Sequence, residues 1–346
     1  MKTKLSLFGV CLFIIVGFYV GDRYNLLYPD YFPAPAYDFT KNGLTKEKIA
    51  LGRALFYEPK LSKDNTISCA SCHSPYNGFA HTDHDLSHGI NDQIGTRNAP
   101  ALFNLAWQKS FMWDGAINHL DMQALAPISH PKEMNESIAS IVQKLQTEAK
   151  YPPFFLRAFG DSVITGEYIL KSLSQFQLTL VSAGAKYDQV KNGTADFSLQ
   201  EANGYRLFQA NCNSCHVEPL FSSYDFASNG LAIDTTLNDF GKSTISKKAT
   251  DQLLFKIPSL RNLSYTYPYM HDGRFRKLRA VLKHYTEEIV PHDNLAPSLQ
   301  KGITLRAREQ TDLIAFLLTL NDQEFVFNAE HQFPKTFFFS KEGFED

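Results

Sequence analysis

Cysteine is scarce, with five in 346 residues, and their placement leaves none to build a disulfide framework. Four form two close pairs, Cys69 with Cys72 and Cys212 with Cys215; the fifth, Cys11, lies in an apolar N-terminal run and reads as filler, because Val10 before it is not the small residue of a lipoprotein signal. Charge of one sign is missing too. The formal net charge is -2 and no basic or acidic block interrupts the chain, which excludes the positive field a nucleic-acid partner needs and any solvating tail. Strand-like alternation is also sparse. What is there is a globular chain, 44% hydrophobic and 20% charged, whose length exceeds one average domain and suits two.

A near-continuous apolar run, Leu5 to Val20, follows Lys2 and Lys4 and closes at Asp22 and Arg23. This is the pattern of an export signal. No small-x-small cleavage site follows it directly, and the nearest, Ala34 to Ala36, is far downstream. Residues 1–21 are therefore expected to be an uncleaved N-terminal membrane anchor. A signal peptide cut near Gly21 is the alternative, since the run is short against the roughly 17–25 residues of a span. Both readings export the chain to the periplasm, the first tethered to the inner membrane.

Beyond a proline-rich link (Pro29, Pro33, Pro35), helical periodicity starts at Thr45, with Ile49, Leu51, Leu55 and Phe56 on one face. A comparable stretch, Glu201 to Phe208, precedes the second cysteine pair, and the two share a string: Gly52-Arg53-Ala54-Leu55-Phe56 against Gly204-Tyr205-Arg206-Leu207-Phe208. The repeat predicts one domain type used twice. Amphipathic stretches Ile138 to Leu145 and Tyr168 to Leu180 lie between, Lys191 to Thr194 supplies a boundary, and Ala280 to Tyr285 and Ala307 to Leu320 read as helices. The expected class is mainly α with long loops, divided into domains over 38–190 and 191–330. A tail over 331–346, rich in aromatics at Phe337-Phe338-Phe339, is expected to pack back on a domain.

Both pairs are followed by histidine, as Cys69-Ala70-Ser71-Cys72-His73 and Cys212-Asn213-Ser214-Cys215-His216. Cys-x-x-Cys-His is the pattern of c-type haem attachment. Two thiols at this spacing each add to one vinyl group of a porphyrin, and the next residue offers imidazole to the iron. A thioredoxin-like pair would not need histidine in the same place twice, and a four-cysteine zinc site would not need an export signal. Two covalently bound haem c groups are expected, one per domain.

From about Leu51 to Leu320 the chain resembles the bacterial di-haem cytochrome c peroxidase/MauG family. The strings that carry the resemblance are Leu61-Ser62, Arg97-Asn98-Ala99-Pro100, Trp113-Asp114-Gly115, Pro127-Ile128 with Glu133-Met134, Phe255-Lys256-Ile257-Pro258-Ser259-Leu260-Arg261-Asn262, and Tyr267-Pro268-Tyr269-Met270-His271-Asp272-Gly273. It implies a two-domain cytochrome c fold in which the N-terminal haem is peroxidatic and the C-terminal haem relays electrons, with His73 and His216 as proximal ligands. It further implies Gln123, Pro127 and Glu133 in the distal pocket, Trp113 between the haems, and a calcium ion held by Asn98 and the backbone carbonyls of Thr266 and Pro268, oxygen ligands that suit a hard cation. Hydrogen peroxide and a small c-type cytochrome or cupredoxin donor are the implied partners.

Two departures bear on mechanism. Family members that need reductive activation have a histidine after Ser-x-Gly, blocking the peroxidatic iron; here Ser87-His88-Gly89 is followed by Ile90, which cannot ligate. The usual methionine ligand of the relay iron, seventeen residues beyond the calcium-site proline, is replaced by Tyr285, the residue type MauG has there. Phenolate stabilises ferric iron and lowers the potential relative to methionine. Met270 competes for that place but reads as core. His81, His84 and His88 read as solvated loop residues with a distal-ligand alternative, and His271 is balanced between a haem contact and a turn cap. The expected function is a peroxidase reducing hydrogen peroxide to water. The alternatives are a MauG-like enzyme oxidising residues of a partner protein and a non-catalytic electron-transfer cytochrome.

Overall fold

The computed structural model describes residues 22–339; the expected anchor or signal over 1–21 lies outside the described residues, as do the last seven residues of the expected tail. Among the described residues no helix is long and apolar enough to cross a membrane. Six helices carry the architecture: α1 (Lys46–Phe56), α2 (Ile138–Gln146), α3 (Gly166–Leu178), α4 (Leu199–Asn211), α5 (Leu278–Glu287) and α6 (Ala307–Leu318). Among the described residues strand is confined to an antiparallel pair, β1 (Phe226–Ala227) with β2 (Phe255–Lys256), registered Phe226 to Lys256 and Ala227 to Phe255.

Helix ends follow local chemistry. The Thr45 hydroxyl accepts from Lys48 N at the start of α1. Ser198 and Glu201 form a reciprocal capping box at the start of α4, the Glu201 carboxylate accepting from Ser198 N at 2.7 Å, which satisfies donors that a helix N-terminus leaves open. The repeated string has a packing reason. A Cβ on Gly52 would lie 1.8 Å from Ser172 O in α3, and one on Gly204 would lie 1.9 Å from Asp312 O in α6. Only glycine lets α1 cross α3, and α4 cross α6, at such close range. The two halves thus use the same glycine-mediated helix crossing.

Each crossing anchors a core. The first gathers Leu51, Leu55, Phe56, Phe79, Phe103, Ile141, Phe155, Leu173 and Phe176, and reaches into the C-terminal residues Phe325, Val326 and Phe337. The second is built on Tyr187, Phe208, Phe221, Leu313, Phe316 and Leu317, with ring centroids of Phe208 and Phe316 5.2 Å apart. Residues 331–333 lie against the end of α1, where Tyr57 donates to His331 O at 2.7 Å and Arg53 Nε to Gln332 O at 2.8 Å, and Phe337 packs on Tyr151 and Phe154.

Between the cores, Arg261 makes a fully buried two-point ion pair with Asp188, at 2.7 and 2.8 Å. Tyr31 from the proline-rich link donates to the same carboxylate at 2.7 Å, and Arg261 also donates to Pro219 O at 2.8 Å. Paired and hydrogen-bonded in this way, both charges offset their desolvation.

Candidate functional site

The first motif begins at Ser68, which caps the single helical turn Cys69–Cys72; its N–H donates to Ser71 Oγ at 3.0 Å. The turn continues through His73 N donating to Cys69 O at 2.9 Å. His73 Nδ1 lies 2.8 Å from Phe79 O. A carbonyl only accepts, so Nδ1 carries the proton and Nε2 presents its lone pair. The second motif repeats this: His216 N donates to Cys212 O at 2.9 Å, and Nδ1 faces Pro258 O at 3.1 Å and Phe221 O at 3.3 Å. Burial pushes both imidazoles down to about 4 despite these carbonyls, so both are neutral ligands in waiting. The four cysteines form no disulfide, and burial raises the Cys69 and Cys212 thiols to about 12.

A cavity of about 280 Å³ runs from the second motif to the face of the N-terminal core. Cys212, Cys215 and His216 line it, with Leu260, Leu282 and Leu317 among its apolar walls. Of the expected site residues, Trp113, Gln123, Asn98, Thr266, Pro268 and Tyr285 also line it. Pro127 and Glu133 do not; Pro127 lies in the short helix Leu125–Ser129 and Glu133 in the turn after it, beside the first motif, and Met134 N donates to Pro127 O at 3.2 Å. Glu133 acts electrostatically on the Cys72 thiol, pushing it up after burial does. Burial raises the Glu133 carboxyl above its ordinary value, and His130, 3.8 Å away, opposes the shift.

Ile90 is 3% exposed, and its N–H donates to Glu133 O at 2.9 Å. The Ser87 to Ile90 loop is thus tied to the loop that carries Glu133. The neighbouring histidines stack in series, with centroids 5.3 Å apart for His81 and His84 and 3.9 Å for His84 and His88, and His81 Nε2 is buried without a partner. His84 is solvated, whereas His81 and His88 are half-buried.

Trp113 Nε1 donates to Asn98 O at 2.9 Å, and Trp113 O accepts from Lys256 N at 2.8 Å in β2. Trp113 is therefore fastened through its indole to Asn98 and through its backbone to β2. Asn98 Nδ2 donates to Asp85 O at 3.0 Å, and Asn98 N to His271 O at 2.7 Å. His271 stacks on Phe255 with centroids 3.7 Å apart. Among the described residues no cluster of three or more His, Cys, Asp or Glu is arranged to hold a metal ion; the expected calcium set relies on amide and carbonyl oxygens instead. Tyr285 is half-buried in the cavity wall, and desolvation there raises its phenol to about 12.

The profile of di-haem cytochrome c peroxidases matches residues 46–196, and that of cytochrome c residues 201–321. The methylamine utilization protein MauG of Methylophilus methylotrophus is 37% identical over 300 residues, covering 85% of this chain and 87% of the relative. The chain belongs to the di-haem cytochrome c peroxidase family.

The family includes cytochrome c peroxidase Ccp of Escherichia coli, 32% identical across 80% of this chain and 58% of its own length. Among solved structures, a MauG-like protein associated with microbial copper homeostasis superposes with a TM-score of 0.79, at 29% identity, covering 90% of this chain and 99% of that one. As a member of the di-haem peroxidase family this chain is an oxidoreductase with two covalently bound haem c groups. Its residues fit them, since each motif presents two unpaired thiols and a neutral imidazole with Nε2 unprotonated.

Several residues that shape this site escape sequence reasoning. Arg97 forks between Asp114 at 2.6 Å and Asp239 at 2.6 and 2.8 Å, tying the two family strings at 97–100 and 113–115 to the C-terminal half. Lys256 lines the cavity, and burial pushes its amine down to about 7 while it donates to Gln108 Oε1 at 2.7 Å and Ser110 O at 3.1 Å. Their membership in recurring strings was the available signal; their partners, 17 to 148 residues away in sequence, were not.

Proposed function

We propose that this chain reduces hydrogen peroxide to two waters, taking two electrons from a small c-type cytochrome or cupredoxin and two protons from solvent. Its peroxidatic site is ready in the fully oxidised state. The observation that carries the second statement is Ile90, buried and hydrogen-bonded to the Glu133 backbone where activated relatives have a blocking histidine. Bound at His73 and His216, the haems supply the redox chemistry, and the protein supplies orientation, proton movement and insulation. Glu133 takes a proton from one peroxide oxygen and returns it to the other, work suited to a carboxyl whose burial makes it readier to hold a proton. Gln123, 8% exposed, and Pro127 shape the peroxide pocket and limit water.

Trp113, fastened to Asn98 and to β2, is the one-electron link between domains over 38–190 and 191–330. Tyr285 and His216 would hold the second haem iron, and Asn98, Thr266 and Pro268 would hold a calcium ion that braces the cavity region. The chain works in the periplasm. A second reading, oxidation of residues of a partner protein, is favoured by Tyr285 together with the 37% identity to MauG.

The test mixes fully oxidised protein with stoichiometric peroxide while the Soret band is followed, then adds reduced cytochrome c. Immediate spectral change followed by turnover is expected. A band that stays still until reductant is added refutes the open site. Immediate change without donor oxidation moves the assignment to the second reading.

A further inference from the structure

Met270 and Tyr285 both line the cavity with Cys212, Cys215 and His216, and each carries a group that binds iron. Asn229 lines the same cavity as both. Its Nδ2 donates to Met270 Sδ at 3.3 Å, which holds the thioether in place.

Asn229 is itself held on two further sides. Its Oδ1 accepts from Leu231 N at 3.2 Å, and its backbone carbonyl accepts from His284 Nε2 at 3.0 Å. The first of these contacts fixes which end of the amide is oxygen, so the NH2 end is the one turned to Met270. The second ties Asn229 to α5, the helix that carries Tyr285, through the adjacent residue. Met270 sits at φ +76, a left-handed conformation rare for a non-glycine side chain. It is therefore held by its surroundings.

We propose that Asn229 selects the axial ligand of the second haem iron, retaining Met270 through its sulfur and leaving the place to Tyr285. This rests on the reading that Tyr285 ligates that iron. The amide contact holds the Met270 side chain in one orientation and weakens its thioether as a donor, so turning the sulfur onto the iron would cost that contact, whereas a phenolate oxygen is an anionic and harder donor that suits ferric iron.

The experiment uses the holoprotein in four forms: wild type, Asn229→Leu, Asn229→Leu with Met270→Leu, and Tyr285→Phe. Ligation is read from the red-edge charge-transfer absorption of thioether-bound ferric haem, from electron paramagnetic resonance, and from the midpoint potential of the second haem. Expected results are no thioether absorption in wild type and its gain in Asn229→Leu, with an upward shift in potential. The absorption disappears again in the double variant. Haem content measured alongside shows that each variant has folded and been matured; if Asn229→Leu is not, Asn229→Ala takes its place. A spectrum unchanged by Tyr285→Phe overturns the tyrosine ligation beneath the inference. A spectrum that responds to Tyr285→Phe while the Asn229 variant shows no thioether signal overturns the role of Asn229 alone.

Discussion

Replacing Gly204 by alanine sets two effects of opposite sign against each other. Within a helix, glycine to alanine favours folding by about 1 kcal/mol through backbone entropy. At this position the new Cβ would meet Asp312 O at 1.9 Å, Asp312 C at 2.6 Å and Phe316 Cβ at 2.8 Å, all inside the 3.0 Å that real Cβ atoms essentially never breach. Two of the three obstacles are backbone atoms of α6, which cannot rotate away, so α4 and α6 must part by about 1 Å and loosen the layer of Phe208, Leu313, Phe316 and Leu317. Overpacking of this kind costs about 1–3 kcal/mol, and with rigid obstacles the upper end applies. The net expectation is a loss of about 2 kcal/mol. Because α4 runs into the second motif, with Cys212 N donating to Phe208 O at 2.8 Å, the second haem should sense the shift first. Urea unfolding of the holoprotein, followed by the Soret band and by tyrosine fluorescence, measures it. The control is Gly43→Ala, whose Cβ would meet only Phe39 O at 3.5 Å and should be near neutral. A Gly204→Ala protein as stable as wild type would refute the close crossing.

His216→Ala should keep its haem through the two thioethers yet change its ligation, so denatured haem stoichiometry stays at two per chain while the resting spectrum alters; loss of one haem would count against the attachment chemistry. Exhaustive chelation should reduce turnover and perturb the spectra if calcium sits at Asn98, Thr266 and Pro268, with affinity only moderate because the set is poor in carboxylates. Unchanged spectra and turnover would remove that assignment. Asp188→Asn leaves the Arg261 guanidinium buried without its counter-charge, which costs about 3–5 kcal/mol; an unfolding midpoint close to wild type would show that water reaches Arg261.

The helices were legible where periodicity and caps coincide. Thr45 caps α1 as its sequence context implies, and the stretches expected at Ile138 to Leu145 and Ala307 to Leu320 appear as Ile138–Gln146 and Ala307–Leu318. The stretch read from Glu201 begins at Leu199, because the capping box at Ser198 recruits Glu201 as its third helical residue instead of its first. The haem-attachment motifs were legible because their chemistry is local: thiol, thiol and imidazole lie within five residues. What fixes the imidazole tautomer was not, since the acceptor for His216 Nδ1 at Pro258 is 42 residues away.

The same distinction separates what the family strings encode from what this chain adds. Arg97, Asp114 and Arg261 belong to recurring strings, and in the structure they are the ion pairs that hold the halves in register around the cavity. On the proposed function such a frame keeps two haem sites at a fixed relation, since electron movement through Trp113 would depend on both of its hydrogen-bonded anchors staying in place. On the same reading Ile90, Tyr285 and Asn229 bear instead on ligation at each iron. Exchanging such residues leaves the Arg97 and Arg261 frame untouched, which is how one fold can hold members with different resting ligation. The frame is thus set by long-range buried charge, and on this reading the reactivity is set by a few uncharged or phenolic side chains.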